Sequence, residues 1–310
     1  MKRTRICDLY GIEYPIVQGG MAHVSRAKLA SAVSEAGALG LIGASTMTPD
    51  ELKEEIRKAK TLTSKPFGVN VSLLNPLSEQ LLRVAIGEDV KIIFTSAGNP
   101  AKFTPMLKDA GRTVTHVVAN VKMAIGAEKK GVDAVVCEGF EAGGHDGFDM
   151  LTTLTLTPQV VDAVKIPVIA AGGITDPRGL VAAMALGAEG IQMGTRFVAT
   201  VECNAHPNFK KLLVEAGDVC TVFVGLKHGP VRIYRNKIGI ALAEAESRCD
   251  ESFTVVTQGP GRGVKACIEG DIEEGMFNCS QAAGLIKKVA TCKEVIEEFV
   301  REYDRIVKTL

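Results

Sequence analysis

The chain has 310 residues, 46% of them hydrophobic and 23% charged, a balance that excludes a disordered or low-complexity chain. Its 36 basic and 36 acidic side chains cancel, so no global field selects nucleic acid or an anionic membrane as a partner. Eight cysteines are scattered with no C-x-x-C pair, which argues against a zinc or disulfide framework and for reduced thiols in a cytoplasmic protein. The opening MKRTRICDLYG is basic but lacks the apolar stretch of a signal peptide. No run of roughly 18 apolar residues is present to span a membrane.

From residue 14 onward one unit repeats: a short apolar strand, a loop with glycine or a capping residue, and an amphipathic helix. Strands are predicted at 14–18, 39–43, 66–71, 91–95, 113–119, 134–137, 167–171 and 190–194. Each carries few charges, as parallel strands covered on both faces should. Helix starts are predicted where a capping side chain precedes proline, at Thr48, Asn75, Asn99, Thr157 and Asp176. There the side chain accepts an orphan N–H, and proline at the next position loses no helical bond. Gly37, Gly111, Gly131 and Gly187 mark helix ends. Apolar residues such as Leu29, Ala32, Val33 and Ala36 recur at the three- and four-residue spacing of a buried helix face.

Eight such alternations allow a closed barrel or a doubly wound open sheet. The second would want G-x-G-x-x-G after its first strand, where this chain has Gln18-Gly19-Gly20-Met21. The expected fold is therefore α/β, a (β/α)8 TIM barrel. Alternation stops after 197. A helix-like piece at 205–216, strands at 219–224 and 231–234, a helix at about 240–248 and a glycine-rich loop at 259–263 follow. These read as a small α+β domain inserted before the last helix, with the barrel at 1–199, the small domain at 200–285 and a returning segment at 286–310.

In barrel enzymes the loops after strands seven and eight commonly cradle a phosphate with backbone N–H groups. Here those loops are Ala171-Gly172-Gly173-Ile174 and Gln192-Met193-Gly194-Thr195. Gly20, Met21 and Ala22 after strand one, Asn70 in strand three and Glu138 after strand six face the same mouth. A planar heteroaromatic ring with a phosphate tail suits this set, though the pattern alone reaches only a phosphorylated ligand. After strand six, EGFEAGGHDG delivers His145 between the pairs Gly143–Gly144 and Asp146–Gly147. The imidazole has the intrinsic pKa of a general acid near neutrality, so His145 is the expected catalytic residue. His116 is expected in the core and His23 at the rim. His206 and His228 lack partners at metal-ligand spacing, so no metal is expected. A flavin-free isomerase or aldolase is the competing class, and it lacks a lysine at a strand end.

These segments together resemble the FMN-dependent barrel oxidoreductases that include nitronate monooxygenase (2-nitropropane dioxygenase) and enoyl-[acyl-carrier-protein] reductase II. The resemblance rests on PIVQGGM at 15–21, LGLIGA at 39–44, PFGVNV at 66–71, EAGGH at 141–145, IPVIAAGGI at 166–174, GIQMGTRF at 190–197 and SQAAGLI at 280–286. It implies FMN at the mouth, with its phosphate on Gly172, Gly173, Gly194 and Thr195. The segment from Gln18 to Ala22, with Asn70, would surround the ring, Gln192, Met193 and Glu138 would lie beside it, and Gly143 and Gly144 would let the loop approach. His145 is similar to the family's active-site histidine. EGFEAGGH, CNAHPNFK at 203–210 and TSAGNP at 95–100 resemble the reductase branch, and Asp146 stands where the monooxygenases carry arginine. His23 departs from the aromatic expected after GGMA. The resemblance implies NADH or NADPH as co-substrate, an enoyl thioester free or on acyl carrier protein, and a homodimer. Arg232, Arg235 and Lys237 are the candidate contacts for an acidic carrier protein, against a plain solvated basic face. The alternative within the family is oxidation of alkyl nitronates with O2.

Overall fold

The computed structural model describes residues 1–310. Eight parallel strands close into a barrel: β1 Ile16–Gln18, β2 Leu39–Gly43, β3 Phe67–Ser72, β4 Ile92–Ser96, β5 Thr113–Val118, β6 Ala134–Glu138, β8 Val168–Ala171 and β9 Gly190–Met193. Between β6 and β8 lies β7, only Gly144–His145, which does not join the barrel. It forms the edge of a second sheet with β10 Thr221–Val224 and β11 Val231–Tyr234, in the order β10-β11-β7. The chain is thus a (β/α)8 barrel with a three-stranded sheet standing at its mouth.

The period of two along each strand sorts side chains between two apolar layers. Val17, Leu39, Leu41, Ile92, Phe94, Ala134, Val136, Ile169 and Ala171 point inward and pack on one another. The N-terminal helix Arg5–Tyr10 inserts Ile6, Cys7 and Tyr10 into the same cluster, and Tyr10 Oη shares a 2.6 Å hydrogen bond with Thr115 Oγ1. That plug fills one end of the barrel interior, so only the other end is available for a ligand. The alternate residues, among them Ile16, Ile42, Val69, Ile93, Val135 and Ile191, face the helices in the larger core.

The capping signals were mostly legible. Thr48 forms a reciprocal capping box with Glu51 and Asp176 accepts from the N–H groups of Arg178 and Gly179, while Asn99, which accepts from Ala101, caps only the 3-10 turn Pro100–Lys102 ahead of the helix Thr104–Asp109. Gly37, Gly111, Gly131 and Gly187 all have left-handed φ. Two expected starts are corrected. Asn75 accepts from the Leu77 N–H at 2.7 Å in a turn, and the helix begins at Ser78. Thr157 and Pro158 lie inside the helix Thr153–Ala163, which starts a turn earlier because the Glu141 carboxylate takes the Thr153 N–H.

The short helix Thr195–Val198 after β9 cannot cover the barrel. The helix Cys292–Val307 fills that place, burying Val295, Ile296 and Phe299 while it packs between helices Pro177–Ala185 and Ala27–Glu35. No helix is long and apolar enough to cross a membrane. The barrel interior carries a direct expectation. Phe94 is fully buried and packs against Tyr10 with ring centroids 5.7 Å apart, so Phe94→Ala should cost about 3–5 kcal/mol by urea unfolding. A loss below about 1 kcal/mol would contradict this packing.

Candidate active site

The inward alternation that fills the barrel with apolar side chains ends, at the open end, in polar ones. Two residues beyond Gly68 is Asn70, two beyond Val136 is Glu138, and two beyond Gly190 is Gln192. Asn70 is 93% removed from solvent, since it keeps only 7% of its surface, yet its amide bonds to nothing in the chain. It lies so close to Gly20 that a Cβ there would meet it at 2.4 Å. Gln192 packs over Gly19 in the same way, its amide also free. Glu138 has no hydrogen bond or ion pair. Water reaches it only in part, protein atoms crowd its carboxyl, and that burial raises its pKa to about 7. Buried polar groups normally find partners, so the unpaired, buried Asn70, with the half-buried and unpaired Glu138 and Gln192 on the same rim, marks a surface suited to a polar ligand.

The adjoining loops supply backbone donors. The N–H groups of Gly172, Gly173 and Gly194, and those of Gly20, Met21 and Ala22, meet no acceptor in the chain. Gly172 has φ +93°, and a Cβ there would sit 2.4 Å from the Gly139 carbonyl oxygen, so only glycine permits this close approach. Free N–H groups converging from the ends of β8 and β9 suit an anion. Thr195 contributes differently, because its Oγ1 accepts from the Ser280 N–H at 2.9 Å and ties the small sheet's flank to β9. Met193 is 2% exposed and points outward into the core, and its carbonyl accepts from Gly19, so its side chain is not at the mouth. Gln18 is likewise structural, bonding Ser25 Oγ at 2.7 Å and the Leu41 N–H at 3.2 Å.

The segment after β6 is held at several points. The Glu141 carboxylate accepts from the Thr153 N–H at 2.9 Å and its hydroxyl at 3.1 Å. The Glu141 carbonyl accepts from Ser280 Oγ at 2.7 Å and the Gln281 N–H at 3.0 Å. Gly143 lies on the Cys279 backbone, where a Cβ would meet Cys279 Cα at 2.5 Å. Gly144 then pairs with Arg232 and His145 with Val231 across β7 and β11. The expected catalytic loop is therefore an edge strand, and His145 projects from it with its ring open to water on one side. Protein atoms crowd the other sides and lower its pKa.

Arg232, expected on a basic surface, is 3% exposed. Its guanidinium lies between the Phe140 and Phe223 rings, 4.9 and 5.0 Å from their centroids, and donates to the Phe140 carbonyl and Thr221 Oγ1. Lys237 is exposed but paired with Glu273 and Glu274, which leaves Arg235 alone of the three without a partner. The carrier-protein patch thus does not form as expected. His116 is a core residue on Thr95 Oγ1, with burial lowering its pKa to about 4. His206 caps the helix Pro207–Val214 and His228 pairs with Glu251 on the surface. His23 is at the rim, beside Gly263 of the glycine-rich loop. Arg262 of that loop is engaged by Glu274 at 2.7 Å. Sequence reasoning missed Glu141 as the anchor and Asp146 and Arg232 as buried charges of the site. Only SQAAGLI, the segment that begins at Ser280, hinted at the tie across to Glu141.

A barrel whose open end gathers free backbone donors and unpaired amides belongs to a ligand-binding enzyme class, and comparison with known proteins identifies it as an oxidoreductase. The family model for nitronate monooxygenase matches residues 3–81 and 77–302, and the chain belongs to that family. It is similar to the structure of FabK from Thermotoga maritima, with 44% identity, 100% of this chain and 98% of that one covered, and a TM-score of 0.96. It is 32% identical to a (3aS,4S,5R,7aS)-5-hydroxy-7a-methyl-1-oxo-octahydro-1H-indene-4-carboxyl-CoA dehydrogenase of Rhodococcus jostii, covering 97% of this chain and 95% of the relative. A probable nitronate monooxygenase of Staphylococcus aureus is 35% identical over 71% of this chain and 74% of its own length.

Removing the Glu141 anchor should loosen the site without unfolding the barrel. Glu141→Ala is expected to cost about 1–3 kcal/mol and to speed amide hydrogen exchange across 139–146 selectively. Unchanged exchange there would show that the anchor is dispensable.

Proposed function

We propose that this chain is a flavin-dependent reductase of enoyl thioesters, the enoyl-[acyl-carrier-protein] reductase II type, drawing electrons from NADH or NADPH. The observation that carries the reading is the unpaired rim of Asn70, Glu138 and Gln192 beside free N–H groups at the ends of β8 and β9. A ring with a mixed donor and acceptor edge and an anionic tail satisfies that set, and FMN is such a molecule. Similarity to FabK over the whole chain, together with EGFEAGGH and CNAHPNFK, favours the enoyl reductase branch. The Rhodococcus relative, named for a CoA thioester, also supports a thioester substrate.

When bound, FMN supplies hydride transfer. The chain's residues do the rest. Gly172, Gly173 and Gly194 hold the phosphate through their N–H groups, and Gly20, Met21 and Ala22 offer donors along the opposite rim. Asn70, Gln192 and Glu138 would meet the polar edge of the ring. β7 carries His145 over the mouth from the small sheet, so that its neutral imidazole positions the acceptor substrate and narrows the access of water. We expect a homodimer in the cytoplasm. The thioester carrier, CoA or acyl carrier protein, is read from the ratio of kcat/KM for the two.

Nitronate oxidation is the second reading, favoured by the family model's description and the Staphylococcus relative. The two separate in one cuvette. The purified protein should be yellow, bleach with NADH without oxygen, and recolour on adding crotonyl thioester. Failure to bleach, with oxygen-dependent turnover of propionate 3-nitronate, would establish the second reading. His145→Ala should keep the flavin spectrum and NADH bleaching while slowing recolouring about tenfold to a hundredfold. Unchanged recolouring would remove His145 from the acceptor site.

A further inference from the structure

The segment that carries His145 passes through Glu141, and Glu141 is tied to both of the loops that would cradle a phosphate. One tie runs to the loop after β8. Thr153 shares its hydroxyl proton between the Glu141 carboxylate, at 3.1 Å, and the Gly172 carbonyl oxygen, at 2.9 Å. Gly173 lies against the same residue, where a Cβ would meet Glu141 Cβ at 3.2 Å. The other tie runs to the loop after β9 through Ser280, which is buried. Ser280 donates its N–H to Thr195 Oγ1 at 2.9 Å and its hydroxyl to the Glu141 carbonyl at 2.7 Å. Thr195, also buried, gives its own hydroxyl proton to no acceptor in the chain. A hydroxyl that accepts one hydrogen bond is polarised as a donor for the next, so this proton is ready for an acceptor held between the two loops. Beyond Glu141, Gly143 rests on the Cys279 backbone and Gly144–His145 pairs with β11. The path from cradle to histidine is therefore continuous, through Thr195, Ser280, Glu141 and β7.

We propose that Ser280 is a positioning residue that couples the phosphate cradle to the His145 strand, so that an anion held in the cradle fixes the histidine. The proposal rests on the reading above that the loops after β8 and β9 hold the phosphate of FMN, and it applies to either reaction considered for that flavin. An anion that takes the Thr195 proton and the N–H groups of Gly172, Gly173 and Gly194 restrains both loops at once. Glu141, bonded toward each, is then held from two sides, and the start of β7 with it. The Ser280 hydroxyl bonds the Glu141 main chain, so the restraint passes into the backbone that becomes the strand. Coupling of this kind is reciprocal, and a well-held strand tightens the cradle by the same factor. Ser280 has a local role too, since its Oγ accepts from the Ala282 N–H at 3.2 Å and caps the 3-10 turn Gln281–Leu285.

Amide hydrogen exchange across 142–146, followed in the full chain loaded with FMN or with riboflavin, separates the phosphate from the ring. In the wild type, FMN should slow exchange there about fivefold or more beyond riboflavin. Ser280→Ala should abolish that difference, and Ser280→Thr, which keeps both the donor and the cap, should restore it. By reciprocity Ser280→Ala should release FMN about fivefold faster and riboflavin at the wild-type rate. Equal protection by the two flavins in the wild type would overturn the coupling. So would a Ser280→Ala chain that exchanges faster at 281–285 but keeps the full difference at 142–146, because Ser280 would then be a cap alone. A chain that takes up neither flavin would contradict the flavin reading instead. Inorganic phosphate then serves as the probe, and exchange at 142–146 that it leaves unchanged in the wild type, or slows equally in Ser280→Ala, would overturn the role of Ser280.

Discussion

The pairing of Gly144 and His145 with Arg232 and Val231 is the constraint on which the site depends. Two residues of strand are too few to be stable alone, and they persist because both sides are anchored. On the barrel side, Glu141 ties the segment to Thr153 and Ser280. On the other, β11 is clamped in a sheet with β10, and its Arg232 reaches back to the Phe140 carbonyl. The histidine is thereby carried on the edge of the small sheet, a few residues beyond the end of β6. Glycine at 143 is what lets the backbone slide over Cys279 into that register.

The same crossing concentrates charge. Glu138, Glu141 and Asp146 arrive within nine residues of sequence, and one arginine faces them. Only Glu141 is satisfied, by an N–H, a hydroxyl and the start of a helix. The other two are left to titrate near and above neutrality. Arg232 cannot neutralise both because its donors are used in holding Phe140 and Thr221. An all-apolar interior would be cheaper to fold, so the unpaired carboxyls and the free amides of Asn70 and Gln192 are the part of the molecule that stability does not explain.

What was legible in the sequence was what is local. Apolar runs of period two, capping side chains before proline and glycines at left-handed helix ends are decided by neighbouring residues, and the eight strands and most helix starts follow from them. Thr157 misled because the cap of its helix comes from Glu141, a residue on another element. Arg232 misled because a cation three residues from another in sequence reads as surface, whereas two aromatic rings from different elements enclose it. β7 left no periodic signal in two residues. Asp146 was visible as an oddity beside His145, but only tertiary structure shows that nothing bonds to it. The rim residues were found through the loops' glycines, while the outward turn of Met193 needed the register of β9.

In the reaction proposed above, this mouth saturates an activated double bond with electrons from a nicotinamide. Anaerobic turnover of NADH with crotonyl thioester, with the thioester product measured by mass, is the decisive test. One saturated thioester should form for each NADH oxidised, with no oxygen present. An unreduced thioester with NADH left unconsumed would contradict it.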